Sequence, residues 1–232
     1  MVREIMDTGA SVRTRLLKIS RENGQNYELI LIRYANERFL YRLSQSEHAH
    51  RFVLKGAMLL MSWLGVLFRG SRDVDMLGYG DTDPKTVLAV FQDIFAQEVD
   101  DGVCFDANGA QVSRIREDGV HGGLRIKTTA DIDGARIQVR IDIGFGDITE
   151  PKPKMLDLPG LLDMPTAPLR GYARETVIAE KFEAMVSLGL SNSRTKDYYD
   201  IWLLSQSFDF DQTQLGRSIA ATFENRGTVI PA

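Results

Sequence analysis

Hydrophobic residues near the start of the chain recur every three or four positions, the period of a helix that faces a core. Two such segments, RTRLLKIS and YELILIRYANERFLYRL, are separated by the polar sequence ENGQN. In the second segment Arg33 and Glu37 lie away from an apolar stripe, which consists of Leu29, Ile32, Ala35, Phe39 and Leu43. The pattern predicts an N-terminal helical segment over residues 1–50.

The period changes in the middle of the chain. A short apolar run, FVLKG, predicts a strand and a glycine turn, and AMLLMSWLG predicts the helix that follows. Residues 84–98 are again helical in pattern, with a buried face of Val87, Val90, Phe91, Ile94 and Phe95. From about 103 to 148 apolar and polar residues alternate, and the two strands LRIKTTA and ARIQVRIDIGF are joined by DIDG, a hairpin signal.

The rest of the chain completes an α+β arrangement. The segment EPKPKMLDLPGLLDMPTAP holds five of the seven prolines and predicts a linker over residues 151–170. Residues 175–225 return to helical spacing. We therefore expect an α/β core over residues 51–150, with helices before it and a C-terminal helical domain over residues 171–232.

Composition narrows the classes of protein and of site. The 232 residues are 44% hydrophobic and 26% charged, which is ordinary for a soluble domain, and neither a membrane-spanning run nor a signal-peptide pattern is present. The expected location is the cytoplasm, with no membrane partner. Cys104 is the only cysteine, which excludes internal disulfides and cysteine-built zinc sites. The net charge of −4 does not favour a general electrostatic grip on nucleic acid.

Three aspartates are candidates for metal chemistry. Asp73 and Asp75 lie two residues apart in RGSRDVDML, so a strand there would place both carboxylates on one face. Asp142 lies on the polar face of the second hairpin strand, beside Arg140. Carboxylates placed together suit Mg²⁺ or Mn²⁺, which prefer oxygen ligands. A solvated turn around Asp73 and a wet sheet face around Asp142 remain the alternatives.

Charged residues also fall on apolar helix faces near the C-terminus. In ETVIAEKFEAMVSLGL, Lys181 lies within the apolar stripe, whereas Glu180 and Glu183 lie outside it. Such a lysine either snorkels to the surface or meets an anion such as a phosphate. In SRTKDYYDIWLL the spacing favours Asp197 over Asp200 as the inward carboxylate, either as a helix cap or as a base or lysine partner.

Four segments in order, LKGA…RGSRDVD, VRIDIGFGD, VIAEKFEAM and SRTKDYYDIW, resemble the AbiEii/AbiGii toxin family. The resemblance runs from about Ser11 to the end of the chain. It implies a nucleotidyltransferase-like mixed sheet as the α+β core. It also implies a toxin that moves nucleotides from a nucleoside triphosphate to RNA, with the tRNA 3′ end as the candidate acceptor. A cognate antitoxin would restrain it, in a setting that includes phage defence.

The resemblance also implies roles for individual residues. Asp73, Asp75 and Asp142 would hold Mg²⁺ or Mn²⁺, and Gly56, Ser71 and Arg72 would lie near the phosphates. Lys181 would bind the triphosphate, and Asp142 or Asp197 would orient or deprotonate the acceptor hydroxyl. Asp200 is a secondary candidate.

Two departures from the family pattern keep other functions open. The chain has Gly56-Ala57 where nucleotidyltransferases usually have Gly-Gly or Gly-Ser, and it stops at TFENRGTVIPA, where longer relatives continue. A non-catalytic nucleotidyltransferase-like binding module is therefore the main alternative. A small-molecule nucleotidyltransferase and a metal-dependent nuclease are the others.

Overall fold

The hairpin predicted around DIDG forms the longest pair of strands in the protein. The computed structural model describes residues 8–65, 72–115, 122–189 and 195–231. Its helices are α1 (Thr8–Glu22), α2 (Tyr27–Gln45), α3 (Gly56–Leu64), α4 (Pro84–Phe95), α5 (Arg174–Leu188), α6 (Thr195–Ser207) and α7 (Gln212–Arg226), with a 3-10 turn at Glu47–Arg51. Its strands are β1 (Phe52–Lys55), β2 (Asp73–Gly78), β3 (Cys104–Phe105), β4 (Gln111–Ile115), β5 (Gly123–Ile132), β6 (Ala135–Phe145), β7 (Lys154–Leu158) and β8 (Ala167–Gly171).

These strands form one mixed sheet in the order β3-β5-β6-β2-β1-β8-β7, with β4 also paired to β5. Strands β5 and β6 are antiparallel and meet at Asp133 and Gly134, which both have positive φ angles, as a tight two-residue turn requires. Strand β2 runs parallel to β6 and antiparallel to β1. The α+β fold predicted from the sequence is confirmed.

One face of the sheet carries the hydrophobic core. Ile137, Val139, Ile141 and Ile143 share a buried face of β6, as their alternation predicts. On β1, Phe52 contacts Phe91 of α4, and Phe91 stacks with Phe39 of α2. Helices α2 and α4 therefore cover this face, and the buried face predicted for α4 is confirmed.

Arg33 and Glu37 lie off the apolar stripe, yet both are buried, because α2 is buried on nearly all sides. Arg33 pairs with Glu37 at 2.8 Å, and the second oxygen of Glu37 accepts the backbone N–H of Leu161. Farther along, Arg42 makes a 2.7 Å ion pair with the buried Asp101. A polar group can be buried in this way when a hydrogen-bonding partner is supplied.

The prediction of a linker over residues 151–170 is also wrong, because β7 and β8 lie largely within it. They form an antiparallel hairpin, and β8 pairs in parallel with β1. Burial alternates along β8, and Ala167, Leu169 and Gly171 all face the interior, as in an ordinary strand. The prolines of this segment therefore do not prevent a strand from forming. The other domain boundaries remain predictions. No helix among the described residues is long and apolar enough to span a membrane.

Candidate functional site

A row of four charged residues crosses the face of the sheet opposite α2 and α4. In the strand register Lys55 pairs with Asp75, Asp75 with Asp142, and Asp142 with Arg125. Residues paired in register point to the same face of a sheet, so the row reads plus, minus, minus, plus across β1, β2, β6 and β5. Asp73 is on the same face, two residues before Asp75. The sheet therefore brings the three predicted aspartates together.

Asp75 lies against the start of α3. A Cβ atom added to Gly56 would stand 2.0 Å from Oδ2 of Asp75, and Gly56 has a φ of +69°. Only glycine fits both the backbone conformation and the approach of the carboxylate. Burial, together with the neighbouring charges of Asp142 and Asp73, raises the pKa of Asp75 from 3.8 to about 6, although Lys55 opposes the shift.

The other two aspartates are each paired with an arginine. Arg125 donates two hydrogen bonds to Asp142, from Nε at 2.7 Å and from a terminal nitrogen at 2.6 Å. These bonds raise the pKa of the Arg125 guanidinium. Arg140, the predicted neighbour of Asp142, lies instead 3.3 Å from Asp73. Asp142 and Asp73 thus each have a cationic partner on the same face of the sheet.

Lys181 of α5 points at two carboxylates of α6. Its ammonium lies 2.6 Å from Asp197 and 2.9 Å from Asp200. The prediction that Asp197 is the inward residue is wrong: the Asp200 side chain is 0% exposed, against 14% for Asp197. Asp197 lies in the first turn of α6, near the helix end, whereas Asp200 lies one turn deeper. The charge of Lys181 opposes the rise in the pKa of Asp75, so α5 brings its lysine within electrostatic reach of the sheet.

A largely buried ionic network links the site to the last helix. Lys55 contacts Asp147 at 3.0 Å and Glu180 at 3.3 Å, and Arg226 of α7 contacts Asp147 at 2.9 Å and Glu183 at 2.8 Å. Burial acts to raise the pKa of Asp147, but the two cations outweigh it and lower the pKa to about 2.

Glu180 and Glu183 lie outside the apolar stripe of α5, yet both are largely buried. Helix α5 contacts α7 and, through Lys55, the sheet. It therefore buries more of its circumference than one apolar stripe, and the two glutamates find cationic partners there.

The predicted phosphate-binding residues are only partly described. Gly56 opens α3, so its backbone lies at the positive end of the helix dipole. Arg72 is largely exposed, lies 3.9 Å from Glu28, and accepts a hydrogen bond at its backbone carbonyl from Asn36. Ser71 lies outside the described residues.

Asp73 and Asp75 fit a divalent cation by their oxygen donors and by the glycine cradle behind Asp75. Asp142 has the right donor and the right register, but Arg125 occupies both of its oxygens. In the part of the chain that the structure describes, no group of three or more acidic, histidine or cysteine side chains is arranged around a common point.

Sequence reasoning missed Lys55, Arg125 and the Arg226 network. A usable signal existed for Arg125: counting seven residues back from Ile132 and seven forward from Ala135, the pair that flanks the turn, pairs Arg125 with Asp142. For Lys55 the signal was its position: it is the one charged residue of an otherwise apolar strand, at the end of that strand and directly before Gly56. Arg226 had no such signal, because its partners lie 43 and 79 positions away.

Two solved structures from Helicobacter pylori share this architecture. JHP933 is 13% identical, with a TM-score of 0.51 over 82% of this chain and 78% of its own. A candidate nucleotidyltransferase from H. pylori is also 13% identical, with a TM-score of 0.50 over 83% of this chain and 80% of its own. At this identity the likeness shows the fold alone. No curated protein matches the chain.

A match to a protein family is more specific than this structural likeness. The family described as "Nucleotidyl transferase AbiEii toxin, Type IV TA system" matches residues 38–232. That range contains the carboxylates of the sheet, Lys181 of α5 and both aspartates of α6. The chain therefore belongs to the AbiEii family of nucleotidyltransferase toxins of type IV toxin–antitoxin systems.

Proposed function

We propose that this protein transfers a nucleotide from a nucleoside triphosphate to an RNA acceptor, with the tRNA 3′ end as the candidate acceptor. The observation that carries the proposal is the register that sets Asp75 beside Asp142, with Asp73 on the same strand and Lys181 within electrostatic reach. Family membership supports the class of reaction.

Asp73 and Asp75 would hold the divalent cation, Mg²⁺ or Mn²⁺. When bound, such a cation neutralises phosphate charge and supplies Lewis acidity at the phosphoryl oxygens. The presence of Asp73 and Asp142 on the same face as Asp75 supports this assignment, because a cation there would offset their mutual repulsion.

The α-phosphorus of the triphosphate is the reacting centre. The acceptor hydroxyl oxygen forms the new bond to it, the bond to the bridging oxygen breaks, and pyrophosphate leaves. Lys181 would bind the triphosphate by exchanging Asp197 for a phosphate oxygen while it keeps its contact with the buried Asp200. Asp197, which is partly exposed, would then accept the hydroxyl proton. Asp142 is the other candidate for this role once Arg125 releases it.

We propose that a cognate antitoxin restrains this activity in the cell and that phage defence is one setting for the pair. The type IV toxin–antitoxin family supports this role. Co-expression with the antitoxin should restore the growth that expression of the toxin alone arrests.

A transfer assay tests the chemistry. Purified protein is incubated with Mg²⁺, total RNA and each labelled nucleoside triphosphate in turn. Wild type should place label in a tRNA-sized band, and Asp73→Ala and Lys181→Ala should not. Two exposed residues provide matched controls, Asp157→Ala on β7 and Lys196→Ala on α6, and both should keep full activity.

Other outcomes of this assay assign other functions. Shortened RNA would indicate a nuclease. A non-catalytic binding module is favoured by the pairing of Asp142 with Arg125 and of Lys181 with two aspartates. It predicts no label in RNA and growth arrest that Asp73→Ala leaves intact.

A further inference from the structure

Arg125 is hydrogen-bonded to Asp142, the carboxylate that would serve as a third metal ligand. Its planar guanidinium covers both oxygens of Asp142, at 2.7 and 2.6 Å. Two parallel charge-assisted bonds of this kind are among the stronger polar contacts in proteins. A cation that bound Asp142 beside Asp75 would share these oxygens with the guanidinium, whose positive charge repels it.

The two partners of this pair differ in their exposure to solvent. The side chain of Arg125 is 31% exposed, whereas that of Asp142 is 14% exposed, so the arginine can leave toward solvent while the aspartate stays in the sheet. Asp142 is also the register neighbour of Asp75, at the spacing of adjacent strands. When the guanidinium leaves, Asp142 is already on the correct face.

We propose that Arg125 is an internal competitor of the divalent cation, which holds Asp142 in the free protein and gives it up when the site is loaded. The inference rests on the proposed metal site at Asp73 and Asp75. The released guanidinium would find a second partner in the triphosphate, because a fork that fits a carboxylate also fits a phosphate. Arg125 thereby makes the cation and the nucleotide bind better together than either does alone.

Binding of Mn²⁺ without nucleotide, followed by the electron paramagnetic resonance of the free ion, tests the competition. Arg125→Met keeps the aliphatic stem and should tighten Mn²⁺ binding by about 5- to 10-fold, because a carboxylate is released. Arg125→Lys should give a smaller gain, since an ammonium cannot cover both oxygens at once. Arg136→Met removes the same charge from an exposed position on β6 and should change nothing.

A second background separates direct competition from a general change of charge. In Asp142→Asn protein the Arg125→Met substitution should give no gain, because the group that it releases is gone. A gain that persists in that background, or no gain in the wild-type background, overturns the proposal. Melting curves of each variant show that it is folded, and Arg125→Lys, the milder change, carries the test if Arg125→Met does not fold.

Failure of the inference differs from failure of the proposed metal site. If Asp75→Asn weakens Mn²⁺ binding but Arg125→Met does not tighten it, the metal site stands and the competition falls. If Asp75→Asn binds Mn²⁺ as wild type does, the metal site itself is wrong and the competition falls with it.

Discussion

The raised pKa of Asp75 makes a prediction about stability. At neutral pH the protein holds this carboxylate ionised, beside Asp142 and Asp73, in a place that favours its neutral form. Asparagine has nearly the same shape and no charge. We therefore expect Asp75→Asn to make the protein without bound metal more stable than wild type.

The magnitude follows from the shift. A change in pKa from 3.8 to about 6 corresponds to about 3 kcal/mol between the two protonation states. The carboxylate is partly exposed, so solvent screening reduces this, and we expect about 1–2 kcal/mol. For a chain of this length that raises the melting temperature by about 2–8 °C.

The pH dependence fixes the sign. A carboxyl group with a higher pKa in the folded state binds more protons when folded, so its contribution to stability declines as pH rises from about 4 to about 6. The difference between Asp75→Asn and wild type should therefore be small near pH 4 and reach its full value above about pH 6.

Urea unfolding followed by circular dichroism across this pH range measures the difference. Asp157→Asn, an exposed aspartate on β7, is the matched control and should follow wild type. Added Mn²⁺ should stabilise wild type and leave Asp75→Asn nearly unchanged. If Asp75→Asn is less stable than wild type at neutral pH, or if its advantage does not depend on pH, the electrostatic reasoning is refuted.

Further substitutions test three other parts of the site. Gly56→Ala should lower the free energy of unfolding, measured in urea, by about 1–3 kcal/mol, because the residue has a positive φ and its new Cβ would collide with the carboxylate of Asp75. Gly80→Ala, also at positive φ but with open space around it, should lower it less. Equal losses would contradict the collision. Asp200→Asn should lower the free energy of unfolding by about 3 kcal/mol because it breaks a buried ion pair. Asp197→Asn should lower it by only about 1 kcal/mol yet reduce the rate of transfer by about 100-fold. If Asp200→Asn instead reduced transfer more than Asp197→Asn, Asp200 would be the carboxylate that takes part in the reaction. Arg226→Met should cost about 3–5 kcal/mol, since it leaves buried carboxylates without their shared cation, and a loss below about 1 kcal/mol would show that the network is not stabilising.

The local pattern was enough to predict most of the fold. Strict alternation identified both strands of the long hairpin, and helical spacing identified the buried face of α4 residue for residue. These features depend on neighbours in the chain, which the sequence displays directly. The prolines around β7 misled because an edge hairpin tolerates them.

The site was less accessible to such reasoning. The spacing of Asp73 and Asp75 predicted a shared face, but their approach to Asp142 depends on β2 and β6 lying side by side, although they are about 60 residues apart in the chain. The position of Lys181 indicated an anionic partner, and it could not distinguish a phosphate from Asp197 and Asp200. Periodicity places a residue on a face; it does not say what lies opposite.

The burial of α2 has a consequence for how this protein can be divided. The family match begins at position 38, halfway along that helix. A fragment that starts there would lose Tyr34, whose hydroxyl donates to the carbonyl of Asp101, and would strip apolar cover from the sheet. The family match and the folding unit thus begin at different residues, and a fragment that is expected to fold must include the N-terminal helices.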